Sequence, residues 1–138
     1  MGMYTELYLC CTLKKDLPGE VLAVLQYLFD EGQEPKLLPF HPYFVTERWD
    51  HIGNSSSYYF VPRFVRDFKR NSIDSGYCLT TRCDLKNYDR EIERFLAWIH
   101  PYIEATPEDH LGHIHYEEDP KPTLIYYGKD CLILEVLK

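Results

Sequence analysis

No run in this 138-residue chain approaches the ~20 consecutive apolar residues that a membrane-spanning helix needs. Its first residues, MGMYTELYL, carry no basic region ahead of an apolar stretch and no small-residue cleavage site, so secretion is not expected. Glu6 stands where N-myristoylation wants Ser or Thr, which removes that anchor as well. No membrane partner is therefore expected. A Cys-x-x-Cys pair is also lacking. The five cysteines (Cys10, Cys11, Cys78, Cys83 and Cys131) are odd in number, and their spacing does not suit a structural zinc site. Four fall inside strand-like runs and the fifth opens one, so they read as small apolar residues with free thiols. That usage belongs to a reducing, cytoplasmic compartment.

Basic residues are the minority, 15 against 22 acidic ones, for a net charge of −7. This balance opposes nucleic-acid binding, whose affinity comes largely from neutralised phosphates. Catalytic signatures are missing too: no G-x-S-x-G, no phosphate-cradling glycine loop, no dinucleotide fingerprint and no H-E-x-x-H. Adjacent carboxylates such as Glu117 and Glu118 would alternate faces on a strand and fail to converge on one substrate. No cofactor is expected, and a non-catalytic role is preferred to an enzymatic one.

What the chain does carry is an order of patterns, in a length that suits one domain, residues 1–138. Residues 3–13 alternate, 18–31 bear a helical stripe, and 57–65 and 75–85 return to strand chemistry. A second stripe spans 88–103, followed by strand-like runs at 112–118, 123–127 and 131–137. The first six elements predict an α+β, ferredoxin-like split β-α-β sandwich (βαββαβ). Two helices lie on one face of an antiparallel sheet, and a C-terminal β-hairpin extends it. Val21, Val24, Leu25 and Leu28 form the inner stripe of the first helix, and Ile92, Phe95, Leu96, Ile99 and Ile103 that of the second. Arg90, Glu91, Glu93 and Arg94 are expected to point outward, and Pro101 to end the second helix near His100.

In the strands, Leu7, Leu9 and Cys11 share a face, as do Tyr77, Leu79, Cys83 and Leu85. Pro62 and the neighbouring arginines place the second strand at a sheet edge. Arg63, Arg66, Lys69 and Arg70 are expected together in the following connection. Residues 33–56 are broken by Pro35, Pro39 and Pro42, yet hold Phe40, Tyr43, Phe44, Trp49 and Ile52. So many large apolar groups predict a long ordered loop folded over the sheet edge or the helices.

The sheet face away from the helices should present Tyr4, Tyr8, Thr80 and Arg82, with one of Tyr58 and Tyr59. Tyrosine suits a face covered by another molecule, because its ring buries area while its hydroxyl stays paired. This face, with Trp49 and His51 of the loop, is the expected binding surface. Its candidate occupants are a second copy in a homodimer, another protein, or a small molecule. The alternative is a ligand carrier or enzyme with its pocket between that face and the loop. His113 and His115 share a strand face and could then supply metal ligands, with Glu117 beyond them, although no metal is favoured. An RNA-recognition module has the same element order, and Leu7-Tyr8-Leu9 would suit its first strand. Turning Tyr77 and Leu79 outward to complete that surface would bury Thr80 and Arg82, at considerable cost. No nucleic acid is expected.

Overall fold

A computed structural model describes residues 3–54, 65–71, 73 and 76–137. The chain runs β1 (Thr5–Leu13), α1 (Gly19–Phe29), β2 (Val65–Arg70), β3 (Tyr77–Leu85), α2 (Glu91–Ile99), β4 (His110–Tyr116), β5 (Thr123–Tyr126) and β6 (Ile133–Val136). These elements make an α+β protein with one six-stranded sheet in the order β2-β3-β1-β4-β5-β6, every neighbouring pair antiparallel. Alternation decides the faces. Leu7, Leu9 and Leu13 on β1 and Leu79, Cys83 and Leu85 on β3 are buried with the apolar stripes of both helices. Glu6, Tyr8, Cys10, Cys78, Thr80 and Arg82 alternate with them and take the other face, called the open face below. Among the described residues no helix is long and apolar enough to cross a membrane.

Three expectations need correction. The described second strand is Val65–Arg70 and so runs past the expected end at 65; the rest of the expected 57–65 falls within residues 55–64, including Pro62, Arg63, Tyr58 and Tyr59, which lie outside the described residues. Consequently Arg66, Lys69 and Arg70 belong to a strand and not to a connection. This strand is an edge with a single buried residue, Phe68, so little apolar alternation is needed to hold it. Its ladder to β3 pairs Phe68 with Leu79, and Arg66 reaches across to α1. There the Arg66 guanidinium donates to the Leu28 carbonyl from Nε at 3.0 Å and from Nη2 at 2.8 Å, capping the helix C-terminus.

The third correction concerns Glu91, which is fully buried. Its Oε1 accepts the Asp89 N–H at 3.0 Å, so the carboxylate folds back over the start of α2, where the open N–H groups favour negative charge. Asn87 completes this helix start. Its Oδ1 accepts the Ile92 N–H at 2.9 Å, and its Nδ2 donates to Glu93 at 2.9 Å. Asn87→Ala should therefore lower stability by about 1 kcal/mol. The readout is a lower urea midpoint with an unchanged slope, and an unmoved midpoint would refute the capping role. As expected, α2 ends at Ile99, and Pro101 falls in a short 3₁₀ turn over His100–Tyr102.

Residues 33–54 are an ordered cover anchored by aromatic rings. Two 3₁₀ turns, Pro42–Val45 and Trp49–His51, bring Tyr43 and Trp49 inward. Tyr43 is completely buried, and its hydroxyl donates to the Trp49 carbonyl at 2.6 Å. Its ring lies 4.7–6.1 Å from those of Phe44, Trp49, Phe95 and Trp98. The cover thus packs on the helical side of the sheet. Gly53, at φ +79°, brings its N–H to the inward Cys83 Sγ at 3.2 Å, and a Cβ there would strike the Phe29 ring.

Candidate functional site on the open sheet face

Two rows of the register build the open face. Arg82, Tyr8 and His113 lie side by side across β3, β1 and β4, with Val65 beyond Arg82 and with Leu124 and then Glu135 beyond His113. In the next row Glu6 stands between Asp84 and His115. Diagonal neighbours in adjacent strands lie within reach of long side chains, and Glu6 uses both diagonals. Its Oε2 accepts from Arg82 Nε at 3.0 Å, and its Oε1 meets His113 Nε2 at 3.0 Å. The Tyr8 ring, centred 5.6 Å from that of His113, covers the row beside them.

Glu6 is only 3% exposed, an unusual state for a carboxylate on the outer face of a sheet. Burial by itself raises its pKa. The hydrogen bonds and charges of His113 and Arg82 outweigh this and hold the carboxyl below its usual range. Arg82 and His113 each keep slightly more than a quarter of the side chain exposed, at 28% and 27%. Glu6 occupies only Nε of Arg82. Among the described residues no acceptor meets the two Nη groups, which leaves them available for a carboxylate or phosphate oxygen. The arrangement can fix a guanidinium in one orientation and offer its outer edge.

The expected site residues separate into two groups. Tyr8, Arg82 and His113 come together around Glu6. Tyr4 is on the same face at the strand end, where its N–H donates to Glu117 Oε1 at 3.1 Å. His115 shares the face, but its Nε2 bonds the Asp119 carbonyl at 2.8 Å and not the Glu6 cluster. Trp49 and His51 are not brought to this face. Trp49 packs against Tyr27, Tyr43 and Phe44 on the helical side, and His51 closes the short turn beside it. Among the described residues no three His, Cys, Asp or Glu side chains are grouped to hold a metal ion.

Sequence reasoning missed Glu6, the residue that organises the cluster. The available signal was a carboxylate inside an alternating strand, on the same face as Tyr8 and next to the inward Leu7. A charge there needs a partner across the sheet. The buried thiols do not contribute chemistry: burial pushes Cys83 up to about 12, and Cys11 higher still, so neither ionises near neutrality. All five cysteines are free.

A cleft of about 690 Å³ lies on the other side of the sheet, beyond α2. Its floor is Ile114, Leu134 and Val136, and its rim includes Lys86, Tyr88 and Glu93. Strands β5 and β6 carry the sheet past the helices, which leaves this part of the helical side uncovered.

Fold and site together define an α+β protein whose six-stranded antiparallel sheet carries a buried, doubly partnered carboxylate on its open face. No protein-family model, curated protein or solved structure matches the chain.

Proposed function

We propose that this protein is a small, non-catalytic, cytoplasmic binding module that receives an acidic partner on its open sheet face. The observation that carries this reading is the state of Arg82. Its Nε is tied to a buried carboxylate beside Tyr8 and His113, its side chain keeps 28% exposure, and among the described residues no acceptor meets its Nη groups. Tyrosine and arginine are the residues that most often anchor interfaces, and a guanidinium already oriented loses less freedom on binding. A partner carboxylate or phosphate placed on the Nη edge would gain charge-assisted hydrogen bonds without disturbing Glu6. The net charge of −7 argues against nucleic acid as that partner. Five free thiols, two of them in the core, suit the cytoplasmic setting of this reading.

In the same reading the frame is a ferredoxin-like split β-α-β sandwich with both helices on one side. The partial order β2-β3-β1-β4 and the helices between β1 and β2 and between β3 and β4 support it. The appended strands β5 and β6 depart from the four-stranded pattern. The cover over residues 33–54 stabilises the frame in this reading and is not the binding surface.

The test compares wild-type protein with a Tyr8→Ala, Arg82→Ala double variant, both immobilised for capture of acidic proteins and peptides. Binding to the wild type should fall at least tenfold in the variant, with the folded state confirmed by circular dichroism. Equal capture by both proteins would remove the open face as the site.

A further inference from the structure

The cleft on the helical side of the sheet joins a polar border to an apolar floor. The border is the connection from β3 to α2, where Lys86, Asn87 and Tyr88 follow directly on Leu85. Asn87 fixes this connection: it takes the left-handed conformation, φ 50°, and its side chain bonds Ile92 and Glu93 of α2. From there the floor crosses β1, β4 and β5 to β6, three strand spacings or about 14 Å. Ile114, Thr123 and Val136 are direct ladder partners, so their side chains form one straight row across the last three strands. Leu134 lies beside that row and is 40% exposed, while Val136 is 70% exposed. The volume of about 690 Å³ is that of a small-molecule site.

Charge is distributed unevenly around this row. Lys86 Nζ lies 5.9 Å from the Tyr88 ring centre, and the Arg48 guanidinium, brought there by the ordered cover, lies 5.3 Å from it. Among the described residues neither cation forms an ion pair, although acidic residues outnumber basic ones by 22 to 15. Two carboxylates share the cleft lining. Glu93 is already bonded by Arg90 Nη2 and Asn87 Nδ2, each at 2.9 Å. Asp119 follows the end of β4, two strand spacings or about 10 Å from the end of β3 that carries Lys86. Two uncompensated cations therefore meet at one tyrosine where the apolar floor begins.

We propose that this cleft binds a linear monocarboxylate of medium chain length, its head at Lys86 and Tyr88 and its hydrocarbon laid along the row toward β6. This inference is independent of the open-face reading. The Lys86 ammonium supplies a charge-assisted hydrogen bond, and Arg48 adds to the positive field around the head. The hydrocarbon removes Leu134 and Val136 from water, which is where the gain on binding arises. A straight row of side chains suits a straight chain. An ammonium head of the same shape would meet Lys86 and Arg48 and be repelled.

The experiment is isothermal titration of the purified protein with decanoate, hexanoate and decylammonium, each kept below its micelle concentration. Decanoate should bind saturably, one molecule per chain, and at least about tenfold more tightly than hexanoate because its longer chain buries more methylenes. Decylammonium should give no saturable heat. Lys86→Gln should weaken decanoate about tenfold through loss of the charged donor. Val136→Asn should weaken decanoate more than hexanoate, since it alters the far end of the floor. Circular dichroism should be unchanged in both variants, whose substituted side chains lie outside the core. The Tyr8→Ala, Arg82→Ala protein should bind decanoate as wild type does, which separates this cleft from the open face. No saturable uptake of decanoate by wild type would overturn the proposal. So would equal binding of decylammonium, or binding lost in the open-face variant and kept in Lys86→Gln.

Discussion

Tyr43→Ala should destabilise the protein by about 3–5 kcal/mol, the range for removing a large aromatic side chain from a packed core. Tyr43 is completely buried and touches rings from both its own segment and α2: Phe44, Trp49, Phe95 and Trp98. Truncation would open a cavity among rigid rings that cannot collapse into it. It would also leave the Trp49 carbonyl without the Tyr43 hydroxyl, which donates to it at 2.6 Å. Tyr43→Phe separates these contributions. It keeps the ring and loses the hydrogen bond, and should cost about 1–2 kcal/mol. Both values come from urea unfolding followed by tryptophan fluorescence, since Trp49 and Trp98 border the site. A Tyr43→Ala protein within 1 kcal/mol of wild type would mean that residues 33–54 are a loose cover and not part of the core.

The second large effect is expected at Glu6. Glu6→Ala removes a carboxylate that partners two side chains, and should cost about 2 kcal/mol at neutral pH. The figure lies below the 3–5 kcal/mol of breaking a fully buried ion pair, because Arg82 and His113 remain partly hydrated and can turn to water. The cost should depend on pH with a definite sign. The folded state holds the Glu6 carboxyl below its usual value, against the opposing effect of burial. Its stabilisation is therefore complete above the ordinary carboxylate range and is lost as pH falls through the depressed value. Wild type should lose stability faster than Glu6→Ala as pH falls from about 5 to about 3, so that the two curves approach each other. Parallel curves across that interval would show that Glu6 acts by packing alone.

Much of the frame was legible in the sequence because its signals are local. A period of two in residues 3–13 and 75–85 placed Leu7, Leu9 and Cys11 of β1 and Tyr77, Leu79, Cys83 and Leu85 of β3 on the buried face, since neighbouring residues in a strand must point opposite ways. The stripes of both helices were legible for the corresponding reason at a period near 3.6, except that Ile103 lies beyond α2, where it is buried in a bridge to Leu13. The β2 strand was not legible. An edge strand buries one side chain and is held by its backbone ladder, which leaves hardly any trace in side-chain chemistry. Glu91 was misplaced because helical spacing assigns an angle around the axis. It does not register a carboxylate turning back to accept an N–H at the helix start.

For the candidate site, the sequence by itself determined that Tyr8, Arg82 and His113 would each stand on an alternating strand. Tertiary structure alone decided that they meet around one carboxylate. Glu6 finds Arg82 across 76 residues of chain and His113 across 107, distances over which no periodicity carries information. Strand order and register set those contacts. They arise from how the hydrophobic faces of helices and sheet bury one another, a global competition that local spacing cannot express.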